Sequence, residues 1–230
     1  PASVVATDGG YVQQPWSVND LLIAPAERYE LVFRVPNQVG RRITFASENY
    51  ILSHTQALAQ IVVGPPEASQ APDWVQPAVD IPDWSDLRRG QADLLLQISG
   101  NELPGETDLD FMWTLNGMSM SEDHTDIDTM PPLADFVTDR IYRIDVSNHN
   151  GYNFGHPLHI HGAAFQVLFQ EGEDPAVPPR AWKDTIWLPP ERSAKIAVRF
   201  PKPGQWMVHC HILEHQARGM MTRVNVDQAP

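Results

Sequence analysis

One cysteine, Cys210, is all that the chain carries in 230 residues, so no disulfide can close within it and thiol usage gives no reading of compartment. No apolar run approaches the roughly 18 residues that a membrane helix needs. Cations are scarce as well: 16 Lys and Arg stand against 29 Asp and Glu, a net charge of −13. That balance argues against a nucleic-acid partner, because phosphate binding needs a basic face. Sustained helical periodicity is missing, and 21 prolines leave little room for long helices. The opening "PASVVATDGG" has neither the basic nor the apolar region of a signal peptide, and it starts on Pro1 rather than Met. The expectation is a processed N-terminus or one piece of a longer protein.

What the chain does have is short β-branched runs separated by Pro, Gly, Asn and Asp. Examples are "YELVFRV" (29–35), "DLLLQIS" (93–99), "RIYRIDVSN" (140–148), "AFQVLFQ" (164–170), "AKIAVRF" (194–200) and "QWMVHCHI" (205–212). Regular short strands with turn signals between them predict an all-β chain built of sandwiches. The composition shifts at "GPPEASQAPDWVQPAVDIPDW" (64–84), which is Pro-rich and aperiodic and reads as an extended linker. The chain then divides into 1–63, the tail of one sandwich, 64–85, the linker, and 86–230, a length that suits a single domain.

Histidine is distributed unevenly. Six of the nine fall into two tight clusters, and one cluster encloses the sole cysteine: "FGHPLHIHGAAF" (154–165) and "WMVHCHILEHQARGM" (206–220). In a strand, successive side chains point to opposite faces. His209 and His211 therefore share one face and Cys210 takes the other, while His159 and His161 share a face of their own strand. A His₂Cys set with a weak axial Met is the donor set of blue-copper electron transfer, which assigns Cys210, His156, His215 and Met220 to one centre. His159, His161, His209 and His211 then line a second. Zinc is the rival, but structural zinc prefers paired cysteines or a closed four-ligand set. His54, His124 and His149 read as surface or supporting histidines. Met112, Met118, Met120, Met130 and Met221 read as edges of the core, with Cu(I) binding as the sharper alternative for the first four.

Together, "GHPLHIHG" and "HCHILEHQARGM" resemble the C-terminal copper motifs of the multicopper oxidases, the laccase and cuprous-oxidase family, with matching spacing (H-x-x-H-x-H, then H-C-H-x-x-x-H-x-x-x-x-M). "FMWTLNGMSM" (111–120) is similar to an early strand of that family's last domain. "AWKDTIWLPP" (181–190) is similar to the segment between the two motifs, and "ATDGGYVQQPWSVNDLLIAPAERYELVFRV" (6–35) to the end of the middle domain. The resemblance is closest to bacterial three-domain members. It implies a cupredoxin-like Greek-key β-sandwich over 86–230, preceded by the tail of a second cupredoxin domain over 1–63. Residue by residue, it implies a type 1 copper at His156, Cys210, His215 and Met220, a type 2 copper at His159, and a type 3 pair at His161, His209 and His211. Cys210, His209 and His211 would carry electrons from substrate to oxygen.

The chain departs from the family pattern in two places. The family's trinuclear cluster takes eight histidines, four of them from a first domain, and this chain has no further H-x-H motif. The N-terminal part of the same protein is therefore an expected partner, and four coppers are expected only in the complete enzyme. Many bacterial relatives carry an acid just after the type 1 His, where this chain has Gln216. An amide cannot release and recover a proton as a carboxylic acid does.

The resemblance thus implies a laccase-like oxidase that couples oxidation of phenols, aromatic amines or metal ions to reduction of O₂ to water. Cuprous oxidation is the alternative kept open by the Met118–Met130 stretch, and a non-enzymatic blue-copper electron carrier is the second class. A structural relative without copper is disfavoured because every expected ligand is present. By resemblance, the location is periplasmic or extracellular.

Overall fold

The computed structural model describes residues 1–48, 55–65, 75–102, 111–120, 129–151, 153–173 and 178–230. The chain is all-β, as expected; among the described residues there are one short helix and one 3₁₀ turn, Ser85–Arg88. The strands before residue 64 are β1 (Ala2–Thr7), β2 (Gly10–Val18), β3 (Tyr29–Val32), β4 (Arg42–Glu48) and β5 (Thr55–Val62). They form a three-stranded sheet, β2-β1-β3, and a separate β4-β5 hairpin.

Ten strands follow among the described residues: β6 (Leu94–Glu102), β7 (Phe111–Leu115), β8 (Asp135–Val137), β9 (Ile141–Ser147), β10 (His156–Ile160), β11 (Ala164–Gln170), β12 (Thr185–Leu188), β13 (Ser193–Arg199), β14 (Gly204–Cys210) and β15 (Met221–Asp227). A five-residue helix, α1 (Leu213–Ala217), joins the last two. They make two five-stranded sheets, β12-β10-β14-β15-β8 and β11-β13-β9-β6-β7. Two pairings, β15 with β8 and β6 with β9, are parallel, and the rest are antiparallel.

Period-two alternation builds the core between these sheets. In β6, Leu96 and Ile98 are buried while Leu95, one position before them, is 70% exposed and Gln97 between them faces outward. Ile144 faces Ile196 across β9 and β13, and Tyr142 faces Val198. On the other sheet Leu158 pairs with Cys210 and Ile160 with Val208. All of these except Leu95 and Gln97 belong to one apolar cluster that also holds Met220, Val224 and Val226. Cys210 is thus a member of the core, and the residues flanking it point out of the same sheet.

The N-terminal strands are tied to the sandwich at Trp182. Its carbonyl accepts from the Gly9 amide and from the Thr7 hydroxyl, each at 2.8 Å. Gly9 is required by that approach, since a Cβ there would sit 2.5 Å from Trp182 Cβ. After Pro-rich 64–74, Trp84 packs edge-on against Trp182 at 5.1 Å between ring centroids.

Candidate metal centre

β14 is a central strand of its sheet, with β10 on one side and β15 on the other. Its register against β10 places Leu158 opposite Cys210 and His159 opposite His209. Alternation then puts Cys210 and His156 on the inner face, and His159 and His209 on the outer one. His161 and His211 stand just past the ends of the two strands, on the parity of His159 and His209.

On the inner face three donor atoms converge. Cys210 Sγ lies 3.8 Å from His156 Nδ1 and 3.8 Å from His215 Nδ1, and the two Nδ1 atoms are 3.0 Å apart. His215 arrives on α1, in the crossover between β14 and β15. That crossover is clamped at both ends: Cys210 N donates to Met220 O at 3.1 Å, and Met220 N donates to His215 O at 3.0 Å. Met220 itself is fully buried in the same cluster as Cys210. Burial pushes the Cys210 thiol up to about 12, against the opposing effect of the Ile212 N–H that donates to the sulfur at 3.4 Å. Burial, helped by the neighbouring His215, pulls His156 down to about 3, and burial pulls His215 down to about 4 despite nearby Glu214. Both imidazoles are therefore neutral at pH 7, the state in which histidine binds metals. A largely buried pocket with one thiol and two neutral imidazoles aimed at each other suits a soft cation.

The outer face holds the second group. His161 Nε2 lies 3.0 Å from His209 Nε2. His209 Nδ1 is 2.9 Å from the Cys210 carbonyl, which can only accept, so the His209 proton is on Nδ1 and its Nε2 is a bare lone pair. His159 is held in the same way, with Nδ1 2.9 Å from Asp184 O and 3.1 Å from Thr185 Oγ1. The His211 ring stands 4.8 Å from that of His159 and 4.7 Å from that of His209. Burial lowers His161 and His209, and burial with three neighbouring imidazoles takes His211 down to about 4. The bare His209 Nε2 facing His161 Nε2 at this distance fits a shared cation.

Residues 94–230 match the family model described as Multicopper oxidase. The chain belongs to the multicopper oxidases. Over 222 residues it is 28% identical to the multicopper oxidase mco of Staphylococcus epidermidis, covering 96% of this chain and 42% of the relative. Its fold is similar to the McoA multicopper oxidase of the hyperthermophile Aquifex aeolicus, with a TM-score of 0.77 and 26% identity over 98% of this chain and 49% of that one. It is also similar to the laccase-like multicopper oxidase CueO of Ochrobactrum sp., with a TM-score of 0.76 and 26% identity over 98% of this chain and 50% of that one. The sandwich is thus the cupredoxin-like fold expected from the motifs, and the family implies copper. The chain spans half or less of the length of these relatives.

Several residues around this multicopper oxidase's histidines escaped the sequence reading. Trp113, only 2% exposed, puts its ring 4.6 Å from both His156 and His215 and packs against both ligand candidates of the inner pocket. Fully buried Asn148 donates to the carbonyls of Phe154, Leu188 and Pro189 and so sets the approach to β10. It also accepts from Asn150, whose amide lies 3.4 Å from His156 Nε2. Asp184 lies under His159. Burial would raise its carboxyl, but hydrogen bonds from His159, Arg28 and Thr185 hold it well below the usual carboxylate range.

Among the remaining histidines, His149 is exposed and 3.3 Å from Glu191, while His54 and His124 lie outside the described residues. Met130 and Met221 are buried, and Met118 and Met120 are half-buried, with Met120 N donating to Gly219 O. Gln216 is half-buried on α1.

Proposed function

We propose that the chain is the C-terminal part of a laccase-like multicopper oxidase. In this reading 1–63 is the tail of the middle domain, 64–85 the linker and 86–230 the copper-bearing domain. His156, Cys210, His215 and Met220 hold the type 1 copper. His159 binds the type 2 copper, and His161, His209 and His211 bind the type 3 pair, with the remaining four ligands coming from an N-terminal part of the same protein. When bound, copper supplies one-electron oxidation of the reducing substrate at the first centre and reduction of O₂ to water at the second, with four coppers in the complete enzyme.

The observation that carries the reading is the adjacency of the two donor groups. They lie on opposite faces of one sheet, and His209, Cys210 and His211 are consecutive, so a covalent bridge joins them. Cys210 supplies the sulfur, Trp113 and the apolar cluster keep water from it, and the carbonyls of Cys210 and Asp184 hold His209 and His159 with Nε2 free. Phenols, aromatic amines or metal ions are the proposed reductants. The Ochrobactrum relative, described as having oxidase activity towards lignin model compounds and lignosulfonate, supports the phenolic class. The proposed location is periplasmic or extracellular.

The first test is copper per molecule in the full-length protein, together with its visible spectrum. Four coppers and an intense blue thiolate band are expected, and Cys210→Ser should abolish the band while far-UV circular dichroism stays unchanged. A Cys210→Ser protein that remains blue would remove the thiolate from the centre. One copper with a blue band would reduce the protein to an electron carrier.

A further inference from the structure

His159 is held by a residue that is itself held from far away in the sequence. Its Nδ1 lies 2.9 Å from Asp184 O, 3.1 Å from Thr185 Oγ1 and 3.5 Å from Asp184 Oδ1. The Thr185 hydroxyl spends its proton on Asp184 Oδ1 at 2.9 Å, which leaves its oxygen free to accept. All the neighbours of Nδ1 are therefore acceptors. The imidazole proton is on Nδ1, and Nε2 is turned toward the other histidines.

Two residues of the N-terminal segment close on Asp184. Arg28 forks onto its carboxylate, Nη1 to Oδ1 at 2.9 Å and Nη2 to Oδ2 at 2.7 Å. Asp8 Oδ2 accepts from the main-chain N–H of Asp184 at 3.2 Å and of Thr185 at 3.3 Å. Asp8 and Arg28 are also bonded to each other: Arg28 N donates to Asp8 Oδ1 at 2.7 Å, and Arg28 Nη2 donates to Asp8 O at 2.9 Å. The fork is aimed by its own turn. Ala26 sits at φ 69°, an unfavourable region for a residue with a Cβ, and its carbonyl accepts from Arg28 Nη1 at 2.9 Å. The Arg28 side chain is 53% exposed, yet its guanidinium makes four directed bonds, two of them the fork on Asp184.

We propose that Arg28 and Asp8 are positioning residues for His159: by fixing Asp184 and the start of β12 they hold the imidazole in one orientation and one tautomer for the oxygen-reducing cluster. The proposed middle-domain segment thereby sets a ligand of a centre whose proposed ligands in this chain are His159, His161, His209 and His211. The inference rests on the reading of His159 as a copper ligand, but not on any step of turnover. Partners of metal-binding histidines are worth about 10- to 100-fold in metal affinity when lost.

The test uses the full-length protein with Arg28→Gln and, as a second variant, Arg28→Lys, which keeps the charge and loses the fork. Copper-loaded protein is titrated with a chromogenic copper chelator, scoring total copper against the blue band that reports Cys210. Both variants are expected to give up cluster copper at about tenfold lower chelator concentration, with the blue band retained. Metal-free protein labelled with ¹⁵N-histidine gives the independent readout: His159 should be a single Nδ1–H tautomer in the parent and a mixture in the variants. Parent-like copper retention and a single tautomer in Arg28→Gln, or full rescue by Lys, overturns the proposal. A parent protein that binds no copper instead overturns the oxidase reading, and the tautomer measurement still decides the role of Arg28. If Arg28→Gln does not fold, Arg28→Lys carries both readouts.

Discussion

At the scale of single residues, the donors announce themselves and their keepers do not. A lone cysteine between two histidines, with a second H-x-H motif upstream, is legible because the residue types are rare and the spacing has a direct meaning on a strand. The structure brings His156, Cys210 and His215 within 4.8 Å of one another, and His159, His161 and His209 likewise. Trp113, Asn148, Asp184 and Arg28 could not be read in the same way. No short motif marks them, and their roles arise from contacts across tens to more than 150 positions. Met220 shows the difference. It is fully buried and clamped through its main chain to both Cys210 and His215. An axial thioether is a weak donor that holds the potential below that of a site with an apolar residue in its place. If the proposed type 1 centre is right and Met220 is its weak donor, Met220→Leu is expected to raise the reduction potential and leave the blue band in place, as read by redox titration at that band. A fall in potential would mean that Met220 is not axial.

At the scale of elements, β-branched runs mark the interior strands well. "AFQVLFQ" coincides with β11 over Ala164–Gln170, and "AKIAVRF" differs from β13, Ser193–Arg199, by one residue at each end. β2 and β15 were harder to see. β2 contains Pro15 and is mostly exposed, and β15, "MTRVNVD", hides its alternation behind Arg223 and Asn225. Arg223 is nonetheless buried, because Met130 O and Asn225 Oδ1 accept from its guanidinium. Between β10 and β11 the chain reverses at Gly162, with φ +72° and the indole of Trp206 pressed against it. A Cβ there would meet Trp206 Cδ2 at 2.1 Å. Gly162→Ala is expected to cost about 1–3 kcal/mol through overpacking, with additional strain from the positive φ, and urea denaturation measures it. A change within a few tenths of a kcal/mol would show that the indole moves freely.

At the scale of the whole molecule, the N-terminal strands and the sandwich share a buried charge cluster. Lys183 Nζ lies 3.2 Å from Asp8, 3.1 Å from Glu27 and 3.2 Å from the Tyr29 hydroxyl, and the Asp8 and Glu27 side chains are 0% and 6% exposed. Removing the ammonium strands two buried carboxylates, so Lys183→Met is expected to destabilise the protein by about 3–5 kcal/mol in denaturant titrations at pH 7. The parent has a matching alkaline limit. Burial would lower Lys183, but Glu27, Tyr29 and Asp8 raise it above its ordinary value, and burial with Glu27 raises Tyr29. A raised folded-state value contributes stability that is complete below the unfolded value and is lost as pH climbs through the folded one. Stability should therefore hold to about pH 10 and fall beyond it, and the fall should be shallower in Lys183→Met.

β14 lends the molecule one more property. Its hydrogen-bond register against β10 decides which way three consecutive side chains face. A slip of one residue would turn the thiol outward and drive two imidazoles into the apolar core, spoiling both centres together. A chain mispaired at this register would thus lose both donor groups at once rather than one of them.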